Sequence, residues 1–268
     1  MRSDADLAAA ANENFIASFR KLADHCAGGR HRQFGGVFAY VTGLPISLFN
    51  GCVAVDQARV SELNAALAWV EEQPVPRRVF IGPDLVAELE AVADAHGLVL
   101  SSTPYPGMVL HPIPTPADPA PGVVVVAVGE TRADDFLAVA VSMGLSPDLA
   151  RTMFAASLLG DPDVDAFVGH LDGRAVGYSL SIRSTGAGGV YNVGTLPEGR
   201  RRGVGTALTW AAVAAGHRAG LDCVVLQSSV MAVSMYEAMG FRTVVDYAVF
   251  REPVMPIGQE TPVPPSPQ

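Results

Sequence analysis

Thr195-Leu196-Pro197-Glu198-Gly199-Arg200-Arg201-Arg202-Gly203-Val204-Gly205-Thr206-Ala207-Leu208 is the stretch that decides the fold of this chain. The apolar residues before it predict a strand, and those after it recur at helical spacing, so a basic glycine turn joins a strand to a helix. The first amides of a helix lack partners within the helix, and the helix dipole favours negative charge there. Gly203 and Gly205 keep side chains away from this position. The stretch therefore predicts a site where backbone amides hold a phosphate group.

Length and composition favour a soluble protein of two small domains. The 268 residues carry a formal net charge of -9, and 49% of them are apolar. No run approaches the roughly 20 uncharged apolar residues that a membrane span needs. The acidic start of the chain does not resemble a secretory signal. We therefore expect a cytoplasmic protein that binds no membrane. The acidic balance also argues against nucleic-acid binding, whose affinity comes from lysines and arginines.

The cysteines and histidines indicate neither a disulfide framework nor a metal site. Cys26, Cys52 and Cys223 lie far apart, with no C-x-x-C pair and no histidine at ligand spacing. Free cysteines are commonly buried. We expect three core thiols and no bound metal.

A proline-rich stretch divides the chain. Prolines recur between residues 112 and 122 too often for a helix or a central strand, which predicts a semi-rigid linker. Residues 1–111 would then form an N-terminal domain and residues 123–252 a C-terminal domain. Residues 253–268 are again rich in proline and poor in apolar side chains, so we expect a disordered tail.

Strands and helices alternate in both predicted domains. In the C-terminal domain the pattern predicts strands at 123–128, 166–171, 175–182, 189–196, 223–227 and 241–250, and helices at 131–143, 146–158, 204–219 and 232–239. The valine run at 123–128 reads as a buried strand, and Asp172-Gly173 predicts a type I′ hairpin turn. In the N-terminal domain we expect helices at 4–25, 61–72 and 83–96, and strands at 35–41, 48–55, 78–82 and 99–110.

Two motifs carry a resemblance to a known family. The segment Arg200-x-x-Gly203-x-Gly205, after a strand that ends in Thr195-Leu196-Pro197, resembles the acetyl-CoA signature of the GCN5-related N-acetyltransferase (GNAT) family. Ala232-x-x-Met235-Tyr236-Glu237-Ala238-Met239-Gly240-Phe241 is similar to the second signature of that family. A Rossmann fingerprint fails because Leu208 replaces its third glycine, and a P-loop fails because no Gly-Lys-Ser/Thr follows. The resemblance implies an α/β fold with a mixed, mostly antiparallel sheet flanked by helices, here in two tandem domains.

The resemblance implies a donor site for acetyl-CoA. Backbone groups near Thr195 and Leu196 would pair with the pantetheine arm, while amides between Arg201 and Thr206 would hold the pyrophosphate. The expected donor contacts are Thr195, Leu196, Arg200, Arg201, Arg202, Gly203, Val204, Gly205, Thr206 and Ser229. Tyr236 is the expected acid that returns a proton to the departing thiolate, and a plain core tyrosine is the alternative interpretation.

Two departures from the family pattern concern the site. Ser229 stands where the family commonly has an asparagine, seven residues before the tyrosine. The strand that often supplies a catalytic carboxylate reads Tyr191-Asn192-Val193-Gly194, without an acid. A general base would then act through water or come from Glu130, Asp161 or Asp165. Gln227 and Ser228 are candidate polar residues of the site, or ordinary polar residues at a strand end.

The implied function is acetyl transfer from acetyl-CoA to a primary amine of a small-molecule or peptide acceptor, by direct attack. Two alternatives stay open: a catalytically weak acetyl-CoA-binding or sensory protein, and an acyltransferase that uses a longer acyl chain. A homodimer is a further option that the sequence leaves open.

The N-terminal half resembles a degenerate GNAT-type unit. Setting Gly97-Leu98 against Gly240-Phe241 puts Ala93 at the position of Tyr236. Gly82, between Ile81 and Pro83, is then the counterpart of the arginine-glycine turn. We expect this half to be non-catalytic and to shape the acceptor site.

Overall fold

The computed structural model describes residues 2–116, 118–128 and 133–253. Its helices are α1 (Asp4–His25), α2 (Val60–Glu71), α3 (Val86–Ala95), α4 (Ala133–Ser142), α5 (Pro147–Met153), α6 (Ala156–Leu159), α7 (Val204–Arg218) and α8 (Val233–Ala238). Its strands are β1 (Arg30–Phe34), β2 (Val37–Val41), β3 (Asn50–Ala54), β4 (Arg78–Ile81), β5 (Val99–Leu100), β6 (Tyr105–Leu110), β7 (Val123–Ala127), β8 (Val164–Leu171), β9 (Arg174–Arg183), β10 (Gly188–Thr195), β11 (Val224–Gln227) and β12 (Arg242–Arg251). Almost all of the tail predicted at 253–268 lies outside the described residues.

The strands form one mixed and mostly antiparallel sheet, which confirms the predicted fold class. Their order is β1-β2-β3-β4-β12-β6-β11-β10-β9-β8-β7, and β5 lies beside β12. The two parallel pairs are β3 with β4 and β10 with β11. A helix connects the members of each parallel pair, α2 in the N-terminal half and α7 in the C-terminal half. Both halves therefore repeat one strand-helix-strand unit.

The last strand of each half pairs with the other half. β6 pairs with β11 over the whole length of β11, and the end of β12 pairs with β4 from Ala248 to Arg251. β6 and β12 also pair with each other at the centre of the sheet. The predicted domains 1–111 and 123–252 thus exchange their final strands, with the linker running between them.

Helix α1 packs across the region where the two halves meet. The buried side chain of Asn14 donates from Nδ2 to the carbonyl oxygens of Ile182 and Ala187, each at 3.0 Å. The ring of Phe15 lies 5.0 Å from that of Phe80 and 5.1 Å from that of Tyr247, between centroids. Because Phe80 is on β4 and Tyr247 on β12, the helix covers the junction that the exchanged strands create.

The prediction of a buried strand at 123–128 is wrong. β7 is the last strand of the sheet and pairs with β8 alone. Val124 consequently leaves 57% of its surface exposed. A valine run is compatible with an edge strand because β-branched side chains favour extended backbone wherever the strand lies.

Three further element boundaries differ from the pattern. The helix expected at 146–158 is broken into α5 and α6 at Phe154, whose buried ring packs 5.0 Å from that of Phe136. The strand expected at 99–110 is interrupted, leaving β5 and β6. β1 was not expected, because its sequence, Arg30-His31-Arg32-Gln33-Phe34, lacks apolar alternation and lies mostly exposed at the sheet edge.

Two local predictions are confirmed, the hairpin turn at Asp172-Gly173 and the burial of the cysteines. Asp172 and Gly173 both have positive φ, 50° and 82°, as a type I′ turn requires. The three cysteines are buried and free. Within the described ranges, no helix combines the length and the apolar character needed to cross a bilayer.

The strand exchange predicts that the two halves fold only together. Residues 1–111 and 123–253, expressed separately, should each lack a cooperative thermal transition by circular dichroism, because β4 or β11 then loses a sheet neighbour. Co-expression of the two pieces should restore a one-to-one complex with such a transition, and the intact chain is the control. A cooperative transition in either piece alone would show that β6 or β12 can pair within its own half.

Candidate donor and acceptor site

A cleft opens where the parallel strands β10 and β11 diverge. Among the described residues they pair only at Gly188 and Gly189, whereas β11 remains paired with β6. The edge of β10 from Val190 to Thr195 consequently faces the cleft without a strand partner. An extended ligand can bind to such an edge as an added strand. The cleft lies where the sequence analysis expects it, between the strands ending at Leu196 and Gln227.

A bulge in β10 lies at the mouth of this cleft. The register with β9 shifts between Tyr191 and Gly194, so Asn192 and Val193 have no partner of their own on β9. Asn192 has φ 52°, a left-handed conformation that asparagine tolerates better than most residues. Bulges of this kind redirect backbone groups and are common beside active sites. The amides at the bulge are therefore candidate donors toward the cleft.

The N-terminus of α7 lies at one end of the cleft. Gly203 caps it with φ 81°, which favours glycine, and supplies no side-chain cap. No acidic side chain occurs in the first turn. The side chain of Val204 is buried against the sheet at Gly169 and Gly177. Val204 as a whole is 0% exposed, so the part of this helix end that a ligand can reach is formed by Gly203, Gly205 and Thr206, which are partly exposed.

The predicted arginines surround this helix end at the surface. The side chains of Arg200 and Arg201 are exposed. Nε of Arg200 donates to the carbonyl oxygen of Thr195 at 3.3 Å. Arg202 lies 3.6 Å from a carboxylate oxygen of Asp172, with both side chains more than half exposed. Exposed ion pairs of this kind contribute little, so these cations can reorient toward an anion.

Gly205 faces the opening between α7 and the segment that precedes α8. A β-carbon at this position would meet Sδ of Met235 at 3.5 Å and Oγ1 of Thr195 at 3.6 Å, which are ordinary contacts. The absence of a side chain is therefore not required by packing. Thr206 is the next residue of α7, and it lies beside Pro119 and Ala120 of the proline-rich linker.

Tyr236 projects from α8 into the cavity at the other end of the cleft. It is 6% exposed and lines that cavity together with Gln227 and Ser229. Burial raises the pKa of Tyr236 to about 12, and the nearby Thr209 hydroxyl lowers it in part. A phenol with this pKa keeps its proton throughout the neutral and alkaline range. Tyr236 can therefore donate a proton, as its predicted role demands.

The cavity has a volume of about 320 Å³ and is built by both halves. The N-terminal half contributes α1, the turn before β3 and the start of β6. The C-terminal half contributes α6, β9, β10, β11, α8 and the segment just before α8. The lining residues are Phe15, Ser18, Phe19, Leu22, Leu48, Phe49, Tyr105, Leu158, Leu180, Ile182, Val190, Tyr191, Asn192, Val193, Gln227, Ser229, Ala232 and Tyr236. None of these side chains carries a formal charge.

The acids considered as a general base are not free in this cavity. Asp161 accepts hydrogen bonds from Lys21 and His25. Burial would raise the pKa of Asp161, but these bonds and one from the amide of Asp163 outweigh it and lower the pKa to about 2. Asp165 pairs with Arg183. Glu130 lies outside the described residues, and the described part of the chain has no group of three or more metal-binding side chains.

The N-terminal half has a different helix end at the corresponding place. Since α2 connects the parallel strands β3 and β4, the counterpart of the arginine-glycine turn is the segment 55–59, and the comparison with Gly82 is wrong. Oε2 of Glu62, in the first turn of α2, accepts from the amides of Gly36 and Arg59, each at 3.0 Å. The bonds from these two amides lower the pKa of Glu62. A carboxylate of the protein itself therefore occupies this helix end.

Comparison with known proteins agrees with this geometry. A model of the acetyltransferase (GNAT) family matches residues 132–241. Residues 132–241 therefore match a GNAT domain. The matched region contains β8 to β11, the bulge, the α7 turn and Tyr236. A search of the curated proteins finds no match.

Solved structures extend the GNAT-type fold over both halves. A GCN5-related N-acetyltransferase from Kribbella flavida covers 91% of this chain and 96% of its own, with TM-score 0.66 and 19% identity. One from Sphaerobacter thermophilus covers 81% of this chain and 76% of its own, with TM-score 0.58 and 17% identity. A tandem GNAT protein from the clavulanic acid biosynthesis pathway covers 80% and 77%, with TM-score 0.54 and 15% identity. At these identities the similarity concerns the fold alone.

Gly205→Ala tests whether the α7 turn of the GNAT domain holds the donor. The substitution meets only ordinary contacts and favours the helix, so the melting temperature should not fall. A methyl group facing the ligand should nevertheless weaken acetyl-CoA binding at least about tenfold by isothermal titration calorimetry.

The matched control is Gly186→Ala, whose β-carbon also finds no contact closer than 3.6 Å and which lies in the turn between β9 and β10. It should leave the affinity unchanged. Equal affinities of the two variants would remove the α7 turn from the donor site.

Proposed function

We propose that this protein transfers the acetyl group of acetyl-CoA to a primary amine by direct attack. The observation that carries the proposal is the arrangement of three features along one cleft of a GNAT domain. An amide-rich helix end lies at one side, an unpaired strand edge follows it, and a protonated tyrosine lies at the far end. Family membership supports acyl transfer, and the arrangement of the residues supports the roles given to them below.

The donor fits the residues that are present. Gly203, Gly205 and Thr206 are partly exposed at the start of α7, and the side chain of Val204 packs against the sheet. The amides from Arg201 to Thr206 would hold the pyrophosphate, and the exposed arginines 200 to 202 would add positive charge. Backbone groups of Thr195 would pair with the pantetheine arm. Those of Leu196 are not available for the expected contact, because its amide donates to the carbonyl oxygen of Val176 at 2.8 Å and its carbonyl oxygen accepts from the amide of Gly199 at 2.9 Å. Ser229 lines the cavity and offers a hydroxyl group where the amide of an asparagine is common in the family.

The reaction needs an electrophile, a neutral amine and a proton for the leaving thiolate. Acetyl-CoA supplies an activated acetyl group as a thioester. The bulge amides near Val193 would stabilise negative charge on the acetyl oxygen. Tyr236 would give its proton to the thiolate. With no free carboxylate in the described cavity lining, the attacking nitrogen would lose its excess proton to water, and water would return a proton to Tyr236.

An acyltransferase for longer acyl chains is a second candidate. The apolar lining of the cavity favours it, because a chain longer than acetyl could extend past Tyr236 toward Leu180 and Ile182. Comparing acetyl-CoA with butyryl-CoA and hexanoyl-CoA as donors, with one amine, decides between the two. A weak or sensory acetyl-CoA-binding protein would bind these donors without turnover.

Tyr236→Phe tests the acid. We expect kcat to fall about a hundredfold at every pH from 7 to 10, because the wild-type phenol stays protonated over this range. The affinity for acetyl-CoA should change little. Thiol release, followed with a chromogenic disulfide, measures kcat.

Tyr178→Phe is the matched control, since Tyr178 is also buried with its pKa raised to about 12 but does not line the cavity. It should keep kcat within about twofold. Unchanged turnover of Tyr236→Phe between pH 7 and 10 would eliminate the proton-donor role.

The two halves should differ in donor binding. Because Glu62 fills the helix end of α2, we expect one acetyl-CoA per chain. Isothermal titration calorimetry measures the stoichiometry. A value of two would mean that the N-terminal half binds the donor despite Glu62, and that this half is not merely supporting the acceptor site.

A further inference from the structure

The chemistry of the cavity lining limits which amine can enter it. Rings from both halves form much of the wall: Phe15, Phe19 and Phe49 come from the N-terminal half, and Tyr191 and Tyr236 from the C-terminal half. At about 320 Å³ the cavity is near the lower limit for small-ligand sites. It can hold one compact apolar group, such as a single aromatic ring.

The polar groups of the lining are neutral, and some already form hydrogen bonds within the protein. The hydroxyl of Tyr191 donates to Oδ1 of Asn14 at 2.7 Å, and that of Ser18 donates to the carbonyl oxygen of Phe15 at 2.7 Å. Nε2 of Gln227 is buried and has no hydrogen-bond partner among the described residues. An unpaired buried amide is costly unless a ligand satisfies it. Gln227 therefore offers the ligand a neutral hydrogen-bonding group at the end of β11.

The charged groups nearest in the fold are engaged outside the lining. On α1, Lys21 and His25 lie on either side of Leu22 in the sequence, and both are bound to Asp161. Asp163 also binds Lys21. On the β4 side, Arg78 donates to Oγ of Ser47 at 2.8 Å. No acid remains in the described lining to accept an ammonium group.

We propose that the acceptor is a compact primary amine with an apolar, ring-sized body, which binds in its uncharged form in the cavity between the two halves. This rests on the acetyl transfer proposed above and specifies its substrate. Burying an ammonium ion without a counter-charge costs several kcal/mol. The neutral amine, in contrast, places its apolar body against the aromatic wall and its nitrogen toward the bulge and Tyr236.

Binding without turnover tests the proposal independently of catalysis. The probe is 2-phenylethylamine, titrated into protein saturated with S-ethyl-CoA, a thioether that cannot transfer a group. Because the amine has a pKa of about 10, its apparent affinity should rise close to tenfold for each pH unit between 8 and 9.5.

The titratable groups of the lining do not ionise between pH 8 and 9.5, so they do not contribute to the pH dependence of the affinity. Burial raises the pKa of Tyr105 to about 12, with Arg78 lowering it in part, and burial raises that of Tyr191 further. Tyr236 also stays protonated, so the lining keeps its charge over the window used. An affinity that is flat or falls with pH would mean that the ammonium form binds, and it would overturn the proposal.

Amine specificity gives a second readout. In the thiol-release assay with acetyl-CoA, kcat/KM for 2-phenylethylamine should exceed that for 1,4-diaminobutane and kanamycin at least about a hundredfold, since both competitors carry additional ammonium groups. A preference for either competitor would overturn the proposal while leaving acetyl transfer intact. Tight binding of 2-phenylethylamine without thiol release would instead contradict acetyl transfer and leave the cavity assignment standing.

A pair of leucine variants locates the binding. Leu48→Ser removes apolar surface from the cavity wall and should weaken 2-phenylethylamine about tenfold. Leu100→Ser, at a leucine that is 54% exposed on β5 and outside the lining, should not. Equal affinities of both variants would place the amine elsewhere.

The choice of donor gives a further check. If hexanoyl-CoA is a better donor than acetyl-CoA and the ring of the amine does not raise kcat/KM, the cavity holds an acyl chain and the proposal fails.

Discussion

The antiparallel pairing of β6 with β12 is the interaction on which the rest of the structure depends. Each strand comes from one half of the chain and also pairs with the other half, β6 with β11 and β12 with β4. Backbone groups at the centre of a sheet must be paired because water cannot reach them. The two halves are therefore held in one relative position, and α1 covers the junction. The cavity with walls from both halves is a direct result.

The same pairing explains how the cleft opens. β11 is held by β6 along its length, while β10 follows β9 and turns away after Gly189 through the bulge at Asn192. The resulting cleft has two chemically different ends. Free amides, a helix dipole and exposed arginines occur at the α7 end, and an uncharged aromatic lining occurs at the Tyr236 end. This separation suits a ligand with an anionic tail and an apolar reaction partner.

The two halves share one architecture but differ at the helix end where the donor site is proposed. Both contain a parallel strand pair connected by a helix. In the C-terminal half Gly203 caps that helix without a side chain and is partly exposed, whereas in the N-terminal half the carboxylate of Glu62 accepts from the amides of Gly36 and Arg59. The N-terminal half contributes to the cavity wall. It supplies the aromatic side chains of Phe15, Phe19, Phe49 and Tyr105.

The sequence by itself predicted the proposed donor end of the site, because an amide cradle is made from consecutive residues. Arg200 to Thr206 and the segment around Tyr236 carry their geometry in local spacing, and the structure agrees with the fold class that the sequence implied. The acceptor end could not be derived in this way. Phe15, Leu48 and Tyr105 lie far apart in the chain, and nothing in their local pattern distinguishes a cavity wall from a core. The exchange of β6 and β12 left no sequence signal either, since hydrogen bonds between strands use backbone groups that every residue has. Only the tertiary structure decided which strands meet, and with them which side chains line the cavity.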